Sequence, residues 1–134
     1  MGELSSEPEA ARVPDAILIV EDEILIRLGL EDDLSQAGYT VLQGADADEA
    51  LQVLQSSVVV DMLITDIRMP GGMDGIQLAR YARAVRPQLR IMFISGNVRD
   101  LPADVMVDAI VEKPYVPADV IALIQQLLKG RKQC

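Results

Sequence analysis

Histidine and tryptophan are absent from this 134-residue chain, and it has one cysteine and one phenylalanine. Without histidine there is no imidazole catalysis, no imidazole metal ligand and no phosphohistidine, and most zinc sites are excluded as well. The single cysteine is Cys134, the last residue, so neither an internal disulfide nor a multi-thiolate metal site can form. Any chemistry must come from carboxylates, hydroxyls, Lys113 or the backbone. No apolar run approaches the roughly 18 residues that span a bilayer, and no charged segment followed by an apolar one opens the chain. The expected location is therefore cytoplasmic, with no membrane association. Lysine and arginine number 12 against 21 aspartates and glutamates, a net charge of −9, which argues against direct nucleic-acid binding.

Half of the residues are hydrophobic, enough for one folded domain with a sizeable core. Residues 1–14 are polar and acidic with two prolines and read as a flexible tail. Residues 15–131 read as the domain and 132–134 as a C-terminal tail. The opening Met1-Gly2-Glu3-Leu4-Ser5-Ser6 has the form of a myristoylation signal, but so short a pattern arises often by chance and the tail reading prevails.

Beyond the tail, strand and helix patterns alternate. Strands are expected at 17–20, 39–42, 62–65, 91–94 and 109–111, most of them short apolar runs bounded by turn residues. The first helix pattern starts at Ile24, places Leu30, Leu34 and Ala37 on one face and stops at Gly38. Asp46 with Glu49 resembles a capping box for a second helix, and Asp74 or Gly75 opens a third that ends before Pro87. Pro117 suits the first turn of a last helix through Ile121, Ile124, Leu127 and Leu128. Between Gly96 and Asp108 the apolar pattern is poor and Pro102 interrupts it, so only a short helix is expected, after Pro102. Five strands alternating with helices imply an α/β fold, a doubly wound parallel sheet with helices on both faces.

Two of these strands end in acid. Ile17-Leu18-Ile19-Val20 runs into Glu21-Asp22-Glu23, and Met62-Leu63-Ile64-Thr65 runs into Asp66. In open parallel sheets chemistry collects at the carboxyl ends of the strands. If these strands are neighbours, three carboxylates share one edge, and a bound cation is the simplest relief of their repulsion. Each feature alone has a plainer explanation: Glu21-Asp22 could cap the following helix, and Asp66 could be a turn residue. Together with Met69-Pro70, Gly75, Ser95-Gly96 and Lys113-Pro114, each at a strand end, they point to a site.

In order along the chain, Val20-Glu21-Asp22-Glu23, Asp66-Ile67-Arg68-Met69-Pro70 with Gly75, Ser95-Gly96 and Lys113-Pro114-Tyr115 resemble the receiver domain of two-component response regulators. The resemblance covers nearly the whole chain after residue 14. It implies a flavodoxin-like sheet of order 2-1-3-4-5 and Asp66 as the acceptor of a phosphoryl group from a histidine kinase or a histidine phosphotransfer protein. It also implies Mg²⁺ as the cofactor, held by Asp22, Asp66, Glu21 and the backbone carbonyl of Arg68. Ser95 and Lys113 would contact the phosphoryl group, the Lys113-Pro114 bond would be cis, and Pro70 and Gly75 would shape the loop. Such a protein catalyses only its own phosphorylation and dephosphorylation. Without a second domain in sequence it acts through a downstream protein partner, or as a phosphoryl relay or sink.

Three departures from the family pattern stand out. The loop from Pro70 to Gly75 is a residue longer than usual, absorbed by Gly71-Gly72. The stretch from Ser95 to Lys113 is several residues shorter, which trims the fourth helix. Ile110 stands three residues before Lys113, where the family commonly has an aromatic that swings with the hydroxyl residue, so switching is expected to move the backbone of 96–108 instead. Other functions fit less well. A phosphatase of the haloacid-dehalogenase type needs a second acid two residues after the nucleophile, where this chain has Arg68. A flavin-binding flavodoxin needs a phosphate cradle after the first strand, where Glu21-Asp22-Glu23 repels phosphate. A degenerate receiver acting only as an interaction module does not require the intact Asp22, Asp66 and Lys113.

Overall fold

The computed structural model describes residues 14–69, 72–96 and 101–132. Most of the expected N-terminal tail, Pro70 and the last two residues lie outside the described part. Within it the elements run β1 (Ala16–Val20), α1 (Ile24–Gln36), β2 (Thr40–Gly44), α2 (Ala47–Gln55), β3 (Met62–Thr65), α3 (Gly75–Val85), β4 (Arg90–Ser95), β5 (Ala109–Glu112) and α4 (Pro117–Lys132). The sheet is parallel throughout, with the expected order β2-β1-β3-β4-β5.

Strand periodicity sorts the core into two layers. Leu18, Val20, Leu63, Ile91 and Phe93 face α2 and α3, where Ala50, Leu54, Leu78 and Ala82 meet them. Ile17, Ile19, Met62, Ile64, Met92 and Ile94 point to the other side, onto Leu30 and Leu34 of α1 and Val120, Ile124 and Leu128 of α4. Every residue of β1 and β3 is buried, which explains their unbroken apolar runs: helices cover both faces of the sheet. Fully burying a side chain of this size contributes about 1.5–3 kcal/mol, so the central strands anchor the fold.

Local signals set the helix ends. Gly38, with φ +102°, terminates α1 in a conformation that L side chains rarely adopt. Asp46 accepts a hydrogen bond from Glu49 N at 2.9 Å, while the Glu49 carboxylate accepts from Ala45 N at 2.8 Å. The return bond thus lands one residue before the cap. At α3 the capping box is complete, with Gln77 N on Asp74 Oδ1 at 2.9 Å and Asp74 N on Gln77 Oε1 at 3.1 Å. β2 runs to Gly44, two residues further than its apolar pattern suggested, and the Gly44 carbonyl accepts from Glu21 N at 3.3 Å.

The short fourth helix does not form among the described residues: 101–108 hold a single turn, closed by Val105 N on the Pro102 carbonyl at 3.2 Å. Leu101, Val105 and Val107 turn toward the α3 side of the core. The last two are spaced like a strand rather than a helix, and β5 begins two residues after Val107. Arginines of α3 tie the segment down. Arg80 pairs with Asp104 at 3.0 Å, and Arg83 reaches the Met106 carbonyl at 3.5 Å and Asp108 at 3.4 Å. Asp108 is the hub, since its Oδ2 also accepts from Ile91 N at 2.8 Å and its Oδ1 lies 3.7 Å from Arg90.

Asp108→Ala leaves the Ile91 amide and two arginines without this acceptor, and should lower stability by about 1–3 kcal/mol. Urea unfolding measures it. A midpoint equal to wild type would show that the segment is held by its apolar contacts alone.

Candidate functional site

Strand register brings the acid-ended strands together. Val20 pairs with Thr65 across β1 and β3, so Glu21 and Asp66, one residue further on, leave the sheet side by side. Asp66 N still donates to the Val20 carbonyl at 3.2 Å. On the other side of β3, Ser95 pairs with Glu112, and Lys113 N donates to the Ser95 carbonyl at 2.8 Å. Acid from β1 and β3 and ammonium from β5 thus collect at one edge, where Ser95 ends β4. The Lys113-Pro114 peptide bond is cis.

Glu21, Asp22 and Asp66 each present a carboxylate oxygen within 4.8 Å of the other two. Lys113 Nζ sits 2.9 Å from Glu21 Oε1 and 2.8 Å from Asp66 Oδ2, with its side chain 19% exposed. Glu21 is the most enclosed of the three, at 5% exposure, while Asp22 is open to solvent. The second oxygen of Glu21 accepts from Glu23 N at 3.0 Å, and Asp66 Oδ1 accepts from Arg68 N at 3.3 Å. Burial pushes the Glu21 carboxyl above the ordinary carboxylate range, against the opposing pull of the Glu23 amide and Lys113. For Lys113, burial works against the charged form, but the hydrogen bonds and charges of Asp66 and Glu21 outweigh it and raise its pKa. The ammonium stays charged at any physiological pH.

Other neighbours shape the edge. Ser95 is 3% exposed. Gly75 closes against the loop after Asp66: its N donates to the Ile67 carbonyl at 2.8 Å, and a Cβ there would overlap the Asp66 carbonyl oxygen. Only glycine fits that approach. Arg68, two residues after Asp66, is exposed. Ile110 is 43% exposed on β5, and Tyr115 packs half-buried against the α1 and α4 layer. Arg27 escaped the sequence reading. Its Nη1 donates to the Glu21 carbonyl at 2.7 Å and its Nε to Gln43 Oε1 at 3.2 Å, stitching the acidic loop to β2. The available signal was a lone arginine in the first turn of an otherwise apolar stretch, Ile24-Leu25-Ile26-Arg27-Leu28.

The donor set suits a hard divalent cation. Mg²⁺ takes oxygen ligands, tolerates one or two carboxylates with several waters, and disfavours nitrogen or sulfur; Glu21, Asp22 and Asp66 offer oxygens alone and lie close enough to share one ion.

A family model of the response regulator receiver domain matches residues 17–125. The chain belongs to that family. Among curated proteins it is 39% identical to the response regulator receiver protein CpdR of Brucella abortus, over 84% of this chain and 95% of that one. It is 33% identical to the sensor kinase CckA of the same organism, again over 84% of this chain but only 12% of the kinase. Among solved structures, a response regulator receiver protein from Sinorhizobium medicae superposes with a TM-score of 0.82 at 34% identity, covering 88% of this chain and 97% of that one. The response regulator TrrA of Thermotoga maritima, solved in complex with Mg²⁺ and beryllofluoride, superposes with a TM-score of 0.77 at 26% identity, covering 84% and 98%. Membership of this family removes the dehalogenase-type and flavin-binding readings.

Millimolar Mg²⁺ should raise the melting temperature of this receiver, because an ion bound by the folded cluster has no comparable site in the unfolded chain. At a hundredfold excess over its Kd the gain is about 2.7 kcal/mol. Differential scanning calorimetry with and without Mg²⁺ measures it. An equal gain in Asp22→Ala would place the ion elsewhere.

Proposed function

We propose that this receiver is the phosphoacceptor of a two-component system, and that Asp66 takes the phosphoryl group from a histidine kinase or a histidine phosphotransfer protein. The observation that carries this reading is the Asp66 carboxylate, hydrogen-bonded to Lys113 within an all-oxygen cluster at the open edge of the sheet. A carboxylate oxygen of Asp66 attacks the donor phosphorus. The new P–O bond forms as the donor P–N bond breaks, and that electron pair returns to the donor imidazole. Such transfer depends on alignment and on neutralising charge spread over the phosphoryl oxygens. Lys113 supplies a fixed positive charge, and Ser95 at the neighbouring strand end donates its hydroxyl to the product. Glu21, Asp22, Asp66 and the Arg68 carbonyl would hold Mg²⁺, which supplies further charge neutralisation when bound. The TrrA complex with Mg²⁺ and beryllofluoride supports that cofactor.

The chain acts on itself rather than on a separate substrate, and phosphorylation switches a surface read by a downstream protein. Similarity to the receiver protein CpdR, 95% of which this chain covers, supports a stand-alone phosphoacceptor. No helix of the described residues is long and apolar enough to cross a membrane; a cytoplasmic location is part of this proposal. The tail limits near residues 14 and 132 belong to this reading too. With the aromatic position taken by exposed Ile110, the signal leaves through the backbone after Ser95.

The phosphodonor must bring its histidine to Asp66 past α1. There Ile24, Leu25 and Leu28 are 56%, 82% and 45% exposed, beside an open groove that includes Lys113, Pro114 and Tyr115. An apolar rim at the mouth of a polar site suits protein docking.

Asp66→Asn should abolish the mass gained from acetyl phosphate and Mg²⁺, since the amide is a poor nucleophile. Mass spectrometry checks this, and labelling that persists in the variant would move the acceptor elsewhere. Leu25→Asp should slow transfer from a phosphorylated protein donor by at least about tenfold, a hot-spot-sized loss, while leaving labelling by acetyl phosphate unchanged. Equal slowing with both donors would instead mean that α1 shapes the site itself.

A further inference from the structure

Thr65 is a polar residue where the core asks for none. It ends β3 after Met62, Leu63 and Ile64, it is 0% exposed, and its register partners on either side are Val20 and Phe93. A hydroxyl in such a place must recover its desolvation through a hydrogen bond. Its Oγ1 donates to the Asp66 carbonyl oxygen at 2.9 Å, with the Met69 sulfur a more distant neighbour at 3.9 Å. The bond goes neither to the sheet ladder nor to the phosphoryl pocket. It goes to the peptide group that follows the acceptor.

We propose that the Thr65 hydroxyl is a positioning group for the phosphoacceptor, holding the Asp66–Ile67 peptide plane so that the Asp66 carboxylate keeps its line of attack. This rests on Asp66 being the acceptor. The plane is gripped from two sides. The Thr65 hydroxyl takes the carbonyl oxygen, and Gly75 closes on the same oxygen with no room for a Cβ. The next peptide is fixed by Gly75 N on the Ile67 carbonyl at 2.8 Å, and the turn then brings Arg68 N to Asp66 Oδ1 at 3.3 Å. Rotation of the first plane would draw the Arg68 amide away from the carboxylate and carry the Arg68 carbonyl with it. The hydroxyl thus acts through the backbone on both the nucleophile and the Arg68 carbonyl, the backbone oxygen proposed to join the carboxylates in holding Mg²⁺. Gly75 alone blocks motion toward α3; the hydroxyl supplies the attractive half of the clamp.

The test compares Thr65→Val, which keeps the shape, Thr65→Ala, which removes the hydroxyl without overfilling the core, and Thr65→Ser, which keeps the donor. Labelling by acetyl phosphate, in which the acetyl C–O–P link is broken at phosphorus and acetate leaves, is followed against donor concentration at saturating Mg²⁺. The Arg68 amide is followed by NMR. Val and Ala should lower the maximal rate by about tenfold, the scale of a modest misalignment, with the half-saturating donor concentration unchanged and the Arg68 amide resonance shifted. Ser should restore both. Wild-type labelling and an unmoved Arg68 amide in Val and Ala, or a Ser variant as slow as they are, would overturn the proposal. A wild-type chain that takes no label would overturn the phosphoacceptor reading instead, and the Arg68 resonance would still decide whether the hydroxyl holds the turn.

Discussion

One ammonium group ties the working edge of this molecule together. Lys113 meets Glu21 across 92 residues of sequence and Asp66 across 47, joining β5 to β1 and β3 over the top of the sheet. All three side chains are less than one-fifth exposed, so their charges are poorly shielded by water and depend on one another. Breaking a buried pair by removing one partner costs about 3–5 kcal/mol, because a charge is left stranded. The contact therefore has two aspects. It stabilises carboxylates that would otherwise repel, and it keeps a positive charge beside Asp66, the group proposed to become more negative.

The fold exists to make that meeting possible. Two apolar layers fix the central strands, and the parallel register ends β1 and β3 together, so Glu21 and Asp66 emerge as neighbours. The lesser contacts serve the same edge: Arg27 pins the Glu21 carbonyl to β2, and Gly75 lets α3 start against the loop after Asp66. Strand ends have few ladder partners of their own, and side chains and glycine supply what the sheet does not.

Much of this was legible in the sequence because it depends on short-range patterns. Continuous apolar runs identify strands covered on both faces, and acid immediately after such a run places carboxylates at the edge, so Glu21, Asp22 and Asp66 could be grouped before their distances were known. The fourth helix was a different problem. Pro102 could open a helix as readily as break one, and what decides is tertiary: Val105 and Val107 turn inward toward α3, and β5 follows too soon for a helix to close. Arg27 and Thr65 were hidden for a related reason. The shortest bond of each goes to a backbone carbonyl, which every residue carries and no residue type advertises.

A crystal structure of the protein with Mg²⁺ and beryllofluoride is the most direct test of the account. It should show the beryllium on the Asp66 carboxylate, the metal among Glu21, Asp22, Asp66 and the Arg68 carbonyl, and Lys113 and Ser95 on the fluorines, with Lys113 released from Glu21. Beryllofluoride bound away from Asp66, or Lys113 still bridging Glu21 and Asp66 in the loaded site, would contradict it.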